Sequence, residues 1–174
     1  MRPLTSLRIA SWNVNRGLDR KLGEQDFIKI IADYDIIFLS ECWLSNESDP
    51  DFSLLFDEFS FHTFSRTKCK GGGLVLLYRR NLANNIKLCK VVGDSIIWVK
   101  IENLLAKDAY VCFCYIPHDN NVFYNHYDID LFESLLYLIL IDIAEFSDHS
   151  FVHMPRNSYS GKRLVSTNII CQAL

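Results

Sequence analysis

Glycine and proline are scarce, seven and four in 174 residues, and no Gly/Ser linker, low-complexity tract or internal repeat interrupts the chain. This excludes collagen-like, solenoid and disordered architectures and offers no internal boundary, so one domain over 1–174 is expected. Positive charge is not in excess. Lys and Arg number 18 against 21 Asp and Glu, a net charge of −3, and no overall basic field advertises a nucleic-acid partner. Long apolar runs are missing too: the most apolar stretch, 135–141, ends before Asp142 and Glu145 and is too short to span a bilayer. The opening Met1-Arg2-Pro3-Leu4 lacks the charged and apolar regions of a signal peptide. No C-x-x-C pair occurs among the six cysteines, so free, reduced, mostly buried thiols and an intracellular setting, nuclear or cytoplasmic, are expected, with no membrane partner.

What is present is an ordinary globular composition, 49% hydrophobic and 22% charged, long enough to bury a real core. Periodicity predicts a strand over 7–14, a helix over about 24–34 with Phe27, Ile28, Ile30 and Ile31 at helical spacing, and a second strand over 35–42. The run Ile36-Ile37-Phe38-Leu39 is continuously apolar, as a strand covered on both faces would be, and with the helix it makes a βαβ unit. Five further strands, over 59–66, 73–78, 86–92, 95–102 and 109–116, are bounded by Gly, Asn and Asp and are expected to be antiparallel neighbours. A long apolar-rich helix over 124–146 and a short strand over 151–154 complete a layered α/β sandwich.

Parallel neighbouring strands would bring Asn13, which closes the first, and Glu41, which closes the second, to one rim. A carboxylate beside a carboxamide suits Mg²⁺, a hard cation held by few protein oxygens together with waters and substrate phosphate. On residue type alone, an Asn after a strand is usually a turn former and a Glu there is usually solvated. The local excess of cations from Arg66, Lys68 and Lys70 to Arg79, Arg80, Lys87 and Lys90 is a solvated face, or a surface for a phosphate backbone. The Gly71-Gly72-Gly73 run precedes a strand rather than a helix, so a turn is expected there and not a phosphate cradle. His62, His118 and His126 show no paired ligand spacing and are expected at the surface or in loops.

Four segments occur in one order: Arg8-Ile9-Ala10-Ser11-Trp12-Asn13-Val14-Asn15, Ile36-Ile37-Phe38-Leu39-Ser40-Glu41, Lys70-Gly71-Gly72-Gly73-Leu74-Val75-Leu76-Leu77-Tyr78 and Cys114-Tyr115-Ile116-Pro117. Together they resemble the endonuclease/exonuclease/phosphatase superfamily, and most closely the endonuclease of non-LTR retrotransposons, over about 7–146. The resemblance implies Mg²⁺-dependent hydrolysis of DNA phosphodiesters, with Mn²⁺ as a substitute, no small-molecule cofactor, and a reverse transcriptase as companion domain in a full-length element. It assigns Asn13 to orienting substrate or bound water, Asn15 to a supporting position, Glu41 to the metal and Tyr115 to the scissile phosphate. Arg66, Lys68 and Lys70 would touch the DNA backbone.

Two further family segments are not in place. Where Gly-Asp-x-Asn would follow the long helix, the chain reads Phe151-Val152-His153-Met154-Pro155-Arg156-Asn157, and no Ser-Asp-His stands near the C-terminus. Gly161-Lys162-Arg163-Leu164-Val165 resembles a helix start found further downstream in the family, so an internal deletion is expected, with an atypical tail over 147–174 and an incomplete second sheet. An incomplete sheet would leave the inner face of the other, including parts of Val75, Leu77, Trp98 and Val111, poorly covered. Ser147-Asp148-His149 spells the missing tripeptide, but in a helix-to-strand loop, where chance is the simpler reading than a relocated acid/base pair. The readings that follow are a DNA endonuclease impaired in cleavage, a non-catalytic relic that at most binds nucleic acid or protein, and a phosphoesterase acting on inositol phosphates or sphingomyelin. The Gly71-Gly72-Gly73 segment weighs against the last.

Overall fold

A computed structural model describes residues 7–44, 51–55, 57–65, 72–92, 95–105, 108–115, 151–153 and 168–173, the last two stretches as backbone. The expected helix over 124–146, together with Arg66, Lys68, Lys70, Gly71, His118, His126, Asp148 and His149, lies outside the described residues.

Strand β1 (Ile9–Asn13) runs parallel to β2 (Ile36–Ser40), in register from Ile9 opposite Ile36 to Asn13 opposite Ser40. Two helices join them, α1 (Leu18–Leu22) and α2 (Gln25–Ala32). The second matches the expected helix. The first was not anticipated, because five residues offer only Leu18 and Leu22, one turn apart, as an apolar signal. In α2, Phe27 and Ile31 are buried and Ile28 is half-buried, but Ile30 is 45% exposed, so the stripe is narrower than the sequence suggested. β2 is buried at every position, as its unbroken apolar run requires.

β4 (Leu74–Arg79) pairs antiparallel with β2 on one side and with β3 (Phe59–Phe64) on the other, giving a first sheet of order β1-β2-β4-β3. A short 3₁₀ turn, Arg80–Leu82, then carries the chain to a second sheet. There β5 (Ile86–Val92), β6 (Ile96–Ile101) and β7 (Ala109–Tyr115) form an antiparallel meander. The five central strands are therefore divided between two sheets. The second sheet, of order β5-β6-β7-β9-β8, also takes in β8 (Phe151–His153) and β9 (Asn168–Ala173), the latter from the tail and pairing directly with β7.

Strand alternation builds two apolar layers. Ile36, Phe38, Leu74, Leu76 and Tyr78 face the second sheet and pack on Ile97, Val99, Val111, Phe113 and Tyr115, with the rings of Phe38 and Phe113 stacked at 5.3 Å. Ile37, Leu39, Val75 and Leu77 face the other way, onto Leu18, Leu22, Phe27 and Ile31. The result is a helix layer, a four-stranded sheet and a five-stranded sheet, the expected α/β sandwich. Val75, Leu77, Trp98 and Val111 are all 0% exposed, so the expected bare face is not found. Val75 and Leu77 lie on the helix side, Trp98 alternates away from the inward Ile97 and Val99, and the meander gives the inner face its partner. Arg79 ties the helix layer to the sheet: its Nε donates to the Tyr34 carbonyl at 3.2 Å, its other nitrogens reach the Ala32 carbonyl and Glu58, and its guanidinium lies over Phe59. Among the described residues no helix is long and apolar enough to cross a membrane.

Candidate active site

The parallel pairing of β1 and β2 aligns their carboxyl ends, and the backbone ladder continues past both strands. Val14 N–H donates to the Ser40 carbonyl at 2.9 Å and Arg16 N–H to the Glu41 carbonyl at 2.9 Å. Asn13 Oδ1 accepts the N–H of Asn15 at 2.9 Å, which turns the chain sharply, and Asn15, Arg16 and Gly17 follow with φ of 46°, 70° and 68°. Asparagine and glycine tolerate this left-handed region; arginine does not do so readily. On the other strand Glu41 and Trp43 are left-handed too, at 55° and 54°, held by Cys42 N–H on the Gly73 carbonyl and Trp43 N–H on the Gly72 carbonyl. The glycine segment therefore serves as a turn whose carbonyls brace the Glu41 segment. Gly73, at φ 82°, has Leu44 so close that an added Cβ would meet it at 3.2 Å.

Tyr115 reaches this rim from the second sheet. Its ring is 2% exposed in the inter-sheet core, its N–H donates to the Ser95 carbonyl at 2.8 Å, and its hydroxyl donates to Glu41 Oε1 at 2.7 Å. That bond joins the two sheets beside the ends of β1 and β2. Alternation from Ile9 and Ile36 places Ser11, Asn13 and Ser40 on the same inter-sheet side, and the Ser11 and Ser40 hydroxyls are buried without a hydrogen-bond partner. Burial holds the Cys42 thiol well above the usual range, which keeps it protonated and inert next to Glu41. Asn168 of β9 occupies the register position opposite Tyr115, and β9 also comes close to β1.

Of the residues singled out in the sequence, Glu41 and Tyr115 are in contact and Asn13 stands at the adjoining strand end, with Asn15 bonded through its backbone to Asn13. His62, expected at the surface or in a loop, is half-buried in β3, with Nε2 3.2 Å from the Tyr78 hydroxyl. Ser11, Ser40, Arg16 and Trp43 were not singled out. The serines sit inside both quoted motifs, but a lone buried hydroxyl has no sequence signature, and neither has a positive φ at Arg16 or Trp43.

The donors at the two strand ends are hard oxygens, the Glu41 carboxylate and the Asn13 carboxamide. They fit Mg²⁺, which keeps most of its waters and takes the rest of its shell from substrate phosphate. Among the described residues no group of three His, Cys, Asp or Glu side chains is gathered to hold an ion.

Two parallel strand ends meet an aromatic hydroxyl from a second sheet at one rim of an α/β sandwich. The sequence model of the endonuclease/exonuclease/phosphatase family matches residues 10–152, most of the chain, and the protein belongs to that family, whose members are hydrolases acting on phosphodiester bonds. No curated protein matches the chain.

Proposed function

We propose that the protein is a DNA-directed member of this family, of the endonuclease type carried by non-LTR retrotransposons, in which nucleic-acid binding outlasts efficient cleavage. The observation that carries this reading is the 2.7 Å bond between Tyr115 Oη and Glu41 Oε1 at the strand ends where Asn13 also stands. In it Glu41 holds Mg²⁺, or Mn²⁺ in its place. When bound, the ion supplies charge relief on the phosphoryl oxygens and a water of lowered pKa. The Tyr115 hydroxyl turns from the carboxylate to donate to a phosphoryl oxygen of the scissile group, and the Asn13 carboxamide, already fixed by its turn to Asn15, orients the substrate or attacking water. The DNA type rests on the four ordered segments quoted above, the glycine segment especially, and Arg66, Lys68 and Lys70 are assigned to the DNA backbone.

Cleavage is weak in this reading because Glu41 is the only carboxylate assigned to the metal and no described group is assigned to take the proton from water. The test is a titration with Mn²⁺ followed by electron paramagnetic resonance, with and without a short DNA duplex. DNA should tighten Mn²⁺ binding, since its phosphate completes the coordination shell, and Glu41→Gln should remove that gain. Mn²⁺ binding indifferent to both DNA and Glu41→Gln would overturn the proposal.

A further inference from the structure

Arg16 and Trp43 are both left-handed non-glycine residues on the rim, and both are pinned by backbone bonds, Arg16 N–H to the Glu41 carbonyl and Trp43 N–H to the Gly72 carbonyl. Their side chains meet in a cation–π contact: the Arg16 guanidinium carbon lies over the Trp43 ring, 3.6 Å from its centroid. Backbone strain of this kind persists only where the surroundings enforce it, and it is commonest at ligand sites. The charge is also unspent. Arg8, Arg20, Lys29, Arg79, Lys87 and Lys100 each pair with a carboxylate, whereas Arg16 has no carboxylate partner among the described residues. The Glu41 carboxylate, on the very residue whose carbonyl holds Arg16, is bonded to Tyr115 instead. A guanidinium over an indole is held in place by the cation–π attraction without giving up its N–H donors to a carboxylate, and its planar fork matches the oxygens of a phosphate.

We propose that Arg16, held over Trp43, grips a backbone phosphate of a DNA strand next to the one received at Glu41 and Tyr115. This rests on the reading that the rim takes a DNA phosphodiester. Trp43 is a positioning residue in it: the indole holds the guanidinium in place and so sets the direction from which the strand arrives. Arg16 then sets register along the strand, without reading sequence.

The test is fluorescence anisotropy of a short labelled duplex with the full chain, over a range of salt concentrations and without divalent metal. Arg16→Ala should weaken binding roughly tenfold at low salt and lower the slope of log affinity against log salt by about one. Arg16→Lys should restore the slope but not the full affinity, since the ammonium cannot present a planar fork. Trp43→Ala should weaken binding with the slope retained, and Trp43→Phe should keep most of the affinity. If Arg16→Ala fails to fold, Arg16→Gln reads the same slope. Unchanged affinity and slope in Arg16→Ala or Arg16→Gln, or a loss only of thermal stability, would overturn the proposal and leave the contact a structural clasp. Failure of the unaltered chain to bind duplex would overturn it as well. The Mn²⁺ titration on Glu41 is a separate readout: indifference there with an intact Arg16 salt effect would sink the metal reading and spare this one.

Discussion

Removing one oxygen tests whether the two sheets are joined at the rim. Tyr115→Phe leaves the ring in place, and since that ring is only 2% exposed in the inter-sheet core, no cavity opens. What disappears is the donor to Glu41 Oε1 at 2.7 Å. A hydrogen bond to a charged acceptor contributes about 1.5–3 kcal/mol, and partial solvent access to Glu41 brings the expected loss nearer to about 1–2 kcal/mol. Glu41→Gln keeps an acceptor but removes the charge, so its bond falls to about 0.5–1.5 kcal/mol. Combining the two in a double-mutant cycle should give a coupling of about 1 kcal/mol, since contacting residues are not additive. Urea unfolding followed by tryptophan fluorescence is the assay, and the slope should stay unchanged between variants, as the surface exposed on unfolding does not differ. A Tyr115→Phe variant within 0.5 kcal/mol of the parent, taking that as roughly the noise of surface substitutions, and a coupling near zero would refute the reasoning: the bond would not exist in solution, and with it would go the argument that strand ends of both sheets converge.

Two other outcomes are open to direct measurement. The purified chain should nick supercoiled plasmid in Mg²⁺ or Mn²⁺ no faster than its Glu41→Ala variant, because losing one member of a catalytic unit commonly removes orders of magnitude of rate; nicking abolished by Glu41→Ala would contradict this, and if Asp148→Ala or His149→Ala abolished it too, the acid/base work would pass to that pair. Gly73→Ala should destabilise the fold by about 1–2 kcal/mol, read as a lower urea midpoint, since φ is 82° and a Cβ meets Leu44 at 3.2 Å; a midpoint equal to the parent's would show that the turn does not brace the Glu41 segment.

Much of the frame is legible in the sequence because its signals are long and local. β2 announces itself as an unbroken apolar run, and the turn residues around β3 to β7 place each strand within about two residues of where it lies, an ordinary margin for such boundaries. The same property hides the phase of the strands. β4 is buried on both faces, so Leu74-Val75-Leu76-Leu77 carries no alternation to say which residues meet the second sheet, and Val75 and Leu77 were given to the wrong side. β9 could not be read beside β7, because a pairing between residues 109–115 and 168–173 is non-local and Asn168–Ala173 is short. At the rim, the shared end of β1 and β2 follows from the βαβ pattern, which is why Asn13 and Glu41 can be named together. The contact of Arg16 with Trp43 cannot be named that way, since it depends on two backbone conformations that arginine and tryptophan ordinarily avoid.

Those conformations carry a cost in folding free energy. Left-handed backbone costs an ordinary side chain about 1–2 kcal/mol, so Arg16, Glu41 and Trp43 together cost about 3–6 kcal/mol, a large share of the roughly 5–15 kcal/mol that holds a domain folded. Glycine at any of the three would relieve most of that cost, and the adjoining Gly17, Gly72 and Gly73 show that the same turns accept it. The strain is sustained by neighbours that leave no alternative: a β2 buried at every position, a β1 register that carries on to the Glu41 carbonyl, and glycine carbonyls that hold Cys42 and Trp43. The hydrogen bond of Glu41 to Tyr115 and the contact of Arg16 with Trp43 return part of that cost, and the proposed binding of a phosphate strand would give these side chains a reason to stay where glycine is less strained.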